Sequence, residues 1–429
     1  MNSDVKEKRL FNVVGTIPGA YEPTRYVLIS GHHDAWQNES SKPGMTHSTL
    51  MEIARTFGHL HRHGWKPGRS LLFASWDGEE IGRLGSTSWL FAHSKELSSR
   101  AVAHINLDYE LDGASHDHVA GSPIFRNLIE QVAKSVHCDD GSNLASNCSL
   151  FSTWLRDETH EDLPTSDHLD LGSTNSAFQN ILGVSSVQVA LKGPSNNYGT
   201  SSRTPSHIVT TSNQREFLEP KFRFSALVAR FVTLLALKLT STPELPVSVR
   251  DYSDRLHTEV REFLRNAATN AEIKRRGIDL GAIAEALHKF EHAAEKFHST
   301  YDASFPMEFL AHHEYSDQLL EMERAFLLPA TASRRGDSGS VTKLLRNPFR
   351  HAIYGPNPMN LGQNVLFPHL SGALDAARFF PSDEEVWEAV ERELFFVVDA
   401  LESASCVLDN HLIYSEPIKS AEDIHAHSW

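Results

Sequence analysis

Cysteine is scarce: Cys138, Cys148 and Cys406 are the only three in 429 residues. That number makes neither a disulfide framework nor a thiolate zinc site, although Cys138 and Cys148 share one polar stretch and can pair in an oxidising compartment. Long apolar runs are missing too. No stretch of about 20 apolar residues occurs, and Met1 through Arg9 lacks the apolar core of a signal peptide. As written, the chain is expected to be cytoplasmic with no membrane span; a secretory or membrane-anchored protein is expected if the N-terminus is incomplete. Basic residues are the minority, 40 against 55 acidic for a formal charge of −15, which argues against non-specific binding to nucleic acid or anionic membranes. No internal repeat or low-complexity tract is evident.

What is present is enough apolar material, 40% of the residues, for a substantial core and two domains. Strand signals at 26–30, 70–76, 102–107 and 184–191 alternate with helical stretches near 47–63, 86–97, 123–135 and 214–240. This is the pattern of an α/β domain with a mostly parallel open sheet and covering helices. The Ser-, Asp- and Asn-rich segment 138–182 lacks periodicity and reads as irregular loop bordering the cleft. Thr242-Pro243-Glu244-Leu245-Pro246 breaks the long helix, placing an α/β domain at 1–245 and an all-α helical bundle at 246–429. In the second, Ile283, Leu287, Phe290, Ala294 and Phe297 form an apolar seam, and Ser382 with Glu385 reads as a capping box opening a helix with Val386, Val390, Leu394, Val397 and Leu401. Of the 25 histidines, His61, His63, His312 and His313 read as surface residues.

Three acidic or histidine clusters follow the apolar runs: His32-His33-Asp34, Asp77-Gly78-Glu79-Glu80, and Asp108. Carboxylates and imidazoles at the carboxyl ends of buried parallel strands are how an open sheet assembles a metal site. In His32-x-Asp34, strand alternation puts both side chains on one side, so the carboxylate can fix which imidazole nitrogen faces a metal. Adjacent Glu79 and Glu80 cannot both face the same way, which suits one ligand and one proton carrier.

The stretches YVLISGHHDAW, LLFASWDGEEIGRLGST and VAHINLD resemble the protease domain of the glutamate carboxypeptidase and transferrin receptor family of two-zinc exopeptidases. The likeness continues through LGSTN and around His207, and MERAFLLP with NPFRHAIYGPNP resembles that family's dimerisation domain. The resemblance implies His32 and Asp108 as ligands of one zinc, Glu80 and His207 as ligands of the other, Glu79 as general base, Asp34 as the orienter of His32, and a homodimer. It also places Asn175, Leu361 and Gly362 at the substrate pocket.

Two departures qualify the activity so implied. Where the family's active members place an aspartate bridging both metals, six residues beyond Trp36, this chain has Lys42 before Pro43. Divalent ions about 3.5–4 Å apart need negative charge between them, and an ammonium opposes it, so fewer than two zinc ions are expected; Glu39 and His47 flank the loop as possible substitutes. Leu361-Gly362 stands where glutamate-releasing members use a lysine-tyrosine pair to hold a carboxylate, so glutamate specificity is expected to be lost. The resemblance also implies a membrane anchor and an apical domain before the strand that ends in the first histidine, and the given sequence starts almost at that strand. Three readings follow: an exopeptidase-type zinc hydrolase of peptide or amide bonds, an inactive relative serving binding or trafficking, and a one-zinc enzyme of altered acyl chemistry.

Overall fold

The computed structural model describes residues 7–35, 41–107, 117–137, 148–156, 174–191, 223–267, 271–303, 309–329 and 349–409. The first half contains strands β1 (Val13–Ile17), β2 (Glu22–His32), β3 (Arg69–Trp76), β4 (Ala101–Leu107), β5 (Asp117–Gly121) and β6 (Ser186–Leu191). Between them lie helices α1 (Ser41–Arg62), α2 (Leu84–Ala92), α3 (Ser94–Arg100), α4 (Arg126–Ser135), α5 (Leu150–Arg156) and α6 (Asn175–Leu182), and α7 (Arg223–Ser241) follows. The six strands form one sheet in the order β1-β3-β2-β4-β6-β5. The four central strands are parallel, and β1 and β5 close the edges antiparallel.

Alternation along each central strand sorts the core into two layers. Val27 and Ile29 of β2 and Leu71 and Phe73 of β3 face the layer of α1, α4 and α7, where Phe57, Leu128 and Phe231 are buried. Leu28, Leu72, Ala74 and Trp76 face the opposite layer, with Leu90, Leu97 and Phe178 from α2, α3 and α6. Burial on both faces explains why these strands read as continuous apolar runs. At Gly31 of β2 an added Cβ would lie 2.6 Å from Thr46 Cγ2, so only glycine lets α1 sit this close to the strand end.

The four expected strands are found. The edge strands β1 and β5 were not expected: β1 is largely exposed and offers no apolar run. The helix expected at 86–97 is two, α2 and α3, meeting at His93. The stretch 138–182, expected to be loop, contains α5 and α6; α6 is missed because it buries polar residues, among them Asn175, Ser176, Gln179 and Asn180.

Beyond Pro246 come α8 (Val249–Ala267), α9 (Ala271–Arg276), α10 (Gly281–Ala303) and α11 (Phe309–Ala325), the antiparallel pair β7 (Tyr354–Asn357) and β8 (Asn360–Leu366), then α12 (Pro368–Phe379) and α13 (Glu384–Asp409). The hairpin is an addition to the all-helical expectation. All five seam residues of α10 are buried. The cap of α13 sits one residue later than expected, since Asp383 Oδ1 accepts the Glu385 N–H at 3.0 Å. His313 is half-buried and pairs with Glu22 Oε1 at 3.0 Å, so it is not the surface residue its sequence suggested. No helix among the described residues is long and apolar enough to cross a membrane. Cys148 is disulfide-bonded, Cys406 is a free exposed thiol, and Cys138 lies outside the described residues.

Buried polar groups close the end of α7 and join the two halves. Arg69, 2% exposed, donates to the carbonyls of Leu239, Thr242 and Pro243 at 3.0, 2.9 and 2.6 Å and pairs with Glu22 at 2.7 Å. It thereby satisfies the carbonyls left open where α7 ends. Glu323 of α11 is fully buried. Its carboxyl oxygens accept from Ser122 Oγ at 3.0 Å, Gln179 Nε2 at 3.3 Å and His351 Nε2 at 3.2 Å. His351 Nδ1 accepts the N–H groups of Ile353 and Tyr354, so its proton resides on Nε2 and is aimed at Glu323. Arg350 adds a backbone bond to Asn180 O and a guanidinium bond to Ile181 O, both 2.7 Å.

Removing Glu323 leaves three buried donors without an acceptor, a loss of about 3–5 kcal/mol by analogy with broken buried pairs. Glu323→Ala should lower the denaturation midpoint accordingly, whereas Glu52→Ala, on the exposed face of α1, should leave it unchanged. Equal midpoints for Glu323→Ala and the parent would show that this network does not hold the halves together.

Candidate active site

Because β2, β3 and β4 are parallel, their carboxyl ends share one edge of the sheet, and the acidic and histidine clusters begin there. β2 ends in His32, beside Trp76 at the end of β3. His32 Nδ1 lies 3.2 Å from Asp34 O and 3.3 Å from Asp34 Oδ1. Asp34 Oδ2 in turn accepts the Glu80 N–H at 3.0 Å. One carboxylate therefore orients the imidazole and anchors the loop that follows β3. Burial pushes the Asp34 carboxyl up, but hydrogen bonds from His32 and from the Glu80 and Glu79 backbones outweigh it and hold it below the usual range.

Glu79 is turned inward. Its Oε1 accepts the Ser86 N–H at 2.9 Å, near the start of α2, and its Oε2 accepts the Thr174 hydroxyl at 2.8 Å. Burial raises its pKa above the ordinary value even though Ser86, Thr174 and His32 all pull it down. A carboxyl raised in this way, with both oxygens tethered, is a candidate proton carrier. The loop that delivers it is tight: Gly82 has φ +87° and Arg83 has φ +57°, the latter a left-handed backbone that a branched-chain or long side chain seldom adopts. Arg83 Nη1 reaches Ser176 Oγ at 3.4 Å.

Beneath this edge runs a buried polar row. Ser30 Oγ donates to Asn106 Oδ1 at 3.0 Å and lies 2.7 Å from His104 Nε2. The hydroxyl proton being so used, His104 carries its proton on Nε2 and leaves Nδ1 as an acceptor. Burial lowers the His104 pKa to about 3, opposed by the nearby Asn175 side chain, so the ring is neutral at ordinary pH and stacks on Phe178 with centroids 4.0 Å apart. Asn175, expected at the substrate pocket, is fully buried in the first turn of α6.

The structure thus brings His32, Asp34, Glu79 and Glu80 together. Asp108, one residue beyond β4, and His207 lie outside the described residues. Lys42 is in the first turn of α1, and Leu361-Gly362 is in β8, but their side chains are outside the description, as are Glu39 and the flanking loop. Among the described residues, no three His, Cys, Asp or Glu side chains form a metal-holding group. His47, a possible substitute ligand by its position in the sequence, bonds through Nδ1 to Ser75 Oγ at 3.0 Å, and His33 bonds to the same oxygen at 2.8 Å. The sequence assigns no role to His33, although it lies in the first cluster, nor to Ser75, Ser86 and Thr174. For His33 the signal was there, since it adjoins a candidate ligand; Thr174 carried the weaker signal of a capping-type residue before a helix.

Residues 12–216 match the model of Peptidase family M28, and residues 278–409 match the Transferrin receptor-like dimerisation domain. The chain is 31% identical over 416 residues to "Aminopeptidase NAALADL1" of Mus musculus, covering 92% of this chain and 52% of that protein. It is 28% identical over 414 residues to "Probable glutamate carboxypeptidase LAMP1" of Arabidopsis thaliana, covering 94% and 55%. The chain therefore spans about half the length of the curated relatives it matches.

Asp34 should make folding acid-sensitive. Because its folded pKa is lowered, its contribution is complete above the ordinary value of 3.8 and is lost as pH falls through the folded value. Asp34→Asn should flatten the fall in denaturation midpoint below about pH 4. An unchanged slope would deny Asp34 that role.

Proposed function

We propose that this chain, whose residues 12–216 belong to Peptidase family M28 and whose residues 278–409 belong to the Transferrin receptor-like dimerisation domain, is a zinc-dependent exopeptidase-type hydrolase of peptide or amide bonds. The observation that carries the proposal is the Glu79 carboxyl, tethered at both oxygens and raised by burial beside the Asp34–His32 pair. The names of the two relatives, an aminopeptidase and a probable glutamate carboxypeptidase, agree on an exopeptidase and differ on which end of the substrate is cut.

The described residues fit a metal on one side. With Nδ1 of His32 occupied by Asp34, a metal would take Nε2, the arrangement in which a carboxylate fixes a ligating histidine. Glu80, Asp108 and His207 would complete the donor set. Zinc, when bound there, supplies Lewis acidity that polarises a carbonyl and acidifies water. Glu79 accepts the proton of the attacking water and delivers it to the leaving amine, a task suited to a carboxyl that burial raises above its ordinary pKa. Asp34 keeps His32 in one tautomer and holds the Glu80 backbone in register.

Lys42 in the place of the bridging aspartate supports fewer than two zinc ions per chain, and Leu361-Gly362 supports a substrate other than one with a terminal glutamate. The Cys148 disulfide favours an oxidising compartment over the cytoplasm. Exposed Phe379, Phe380 and Phe395 in the dimerisation-domain match offer apolar surface for a homodimer, and analytical ultracentrifugation should show twice the chain mass; a monomer at micromolar concentration would refute it.

Metal analysis of the purified protein should give less than two equivalents of zinc. Lys42→Asp should raise that figure together with aminopeptidase or carboxypeptidase activity, and Glu79→Gln in that background should abolish turnover with zinc retained. Two full equivalents in the unsubstituted protein would overturn the reading of Lys42, and turnover surviving Glu79→Gln would overturn the role of Glu79.

A further inference from the structure

We propose that Thr174 is a positioning residue for Glu79, fixing the plane in which its carboxyl group meets the substrate's water. The proposal rests on the hydrolase reading above. Thr174 immediately precedes α6 and occupies its N-cap position, yet its side chain makes no capping bond. The hydroxyl is directed 95 residues back along the chain, to Glu79 Oε2 at 2.8 Å. Thr174 is 5% exposed, so this is a fixed internal bond and not a passing surface contact.

The helix gives up a stabilising cap, ordinarily about 1 kcal/mol, and is held by other means. Seven of its eight residues are buried, and Arg350 binds two carbonyls near its carboxyl end. A helix so anchored presents the Thr174 hydroxyl at a constant place. On the other side, the Ser86 N–H holds Oε1. With the Ser86 N–H on Oε1 and the Thr174 hydroxyl on Oε2, rotation about the last side-chain bond of Glu79 is blocked. A backbone N–H alone fixes one oxygen and leaves the other to swing. Since misplacement by about 1 Å can cost about a hundredfold in rate, the second tether is the one that sets direction.

The test uses the full chain loaded with zinc. Thr174→Val removes the hydroxyl at nearly constant volume; it should lower kcat about ten- to a hundredfold with KM within about twofold and zinc content unchanged. Thr174→Ser should restore kcat to within about threefold, a recovery that a loss of packing would not give, and Thr174→Ala serves if the valine variant does not fold. A crystal structure of the valine or alanine variant should show the Glu79 carboxyl turned away from its position in the parent. Unchanged kcat in the variant, or failure of serine to restore it, overturns the proposal, as does a Glu79 carboxyl that stays in place. An unsubstituted protein inert toward aminopeptidase and carboxypeptidase substrates would instead overturn the hydrolase reading, and the crystal structure would still decide whether Thr174 sets the orientation of Glu79.

Discussion

The buried carboxyl group of Glu323 is the constraint on which the arrangement of the two halves turns. It draws donors from the end of β5, from α6 and from the segment before β7, three pieces of chain that no local preference would bring together. Such a group is costly to bury unless its oxygens are fully engaged, so the fold is stable only when all three pieces are in place. Its neighbour Arg324 donates to Ala101 O at the start of β4, extending the same tie to the central sheet. The consequence reaches the site through α6. One end of this short helix is bound by the Glu323 and Arg350 contacts, and the residue before its other end holds Glu79. The helical half therefore has a bearing on the site although it supplies none of the described site residues.

The sheet imposes a second requirement. A parallel strand buried on both faces is normally apolar, yet β2 and β4 carry Ser30, His104 and Asn106 toward α6, all at 3% exposure or less. The three satisfy one another in part, and the direction of their bonds sets the His104 tautomer. Asn175 lies beside the His104 ring, though neither atom of its amide forms a hydrogen bond of good geometry among the described residues. Polar groups placed this way favour one seating of α6 over others, because sliding the helix by a residue would take Asn175 away from His104 and Phe178 off the ring it stacks on.

How much of this was legible in the sequence varied with the range of the interaction. Continuous apolar runs revealed β2, β3, β4 and β6, and the clusters after them located His32, Asp34, Glu79 and Glu80. The seam of α10 was equally plain from its spacing. β1 was not, since an edge strand needs neither an apolar face nor alternation when its partner supplies the ladder. α6 was hidden because periodicity counts its buried asparagines and glutamine as surface. The tethers of Glu79 illustrate the limit: Ser86 is seven residues away and lies within the same motif, while Thr174 is separated by the whole of β4, β5 and α4. Sequence spacing points to a candidate carboxyl far more readily than it identifies what holds that carboxyl still.

Glu79 and Glu80 show why adjacency in sequence can serve opposite ends. The peptide unit between them is fixed by Asp34, which accepts the Glu80 N–H, and the chain then turns sharply through Gly82 and left-handed Arg83 into α2. That turn brings the Ser86 N–H back onto Glu79 Oε1, so the strain at Arg83 and the tether on Glu79 are two aspects of one loop conformation. The positive end of α2 also favours an anionic Glu79, opposing the burial that raises its pKa. Burial and the donors around Glu79 therefore act on its carboxyl in opposite senses, and burial prevails.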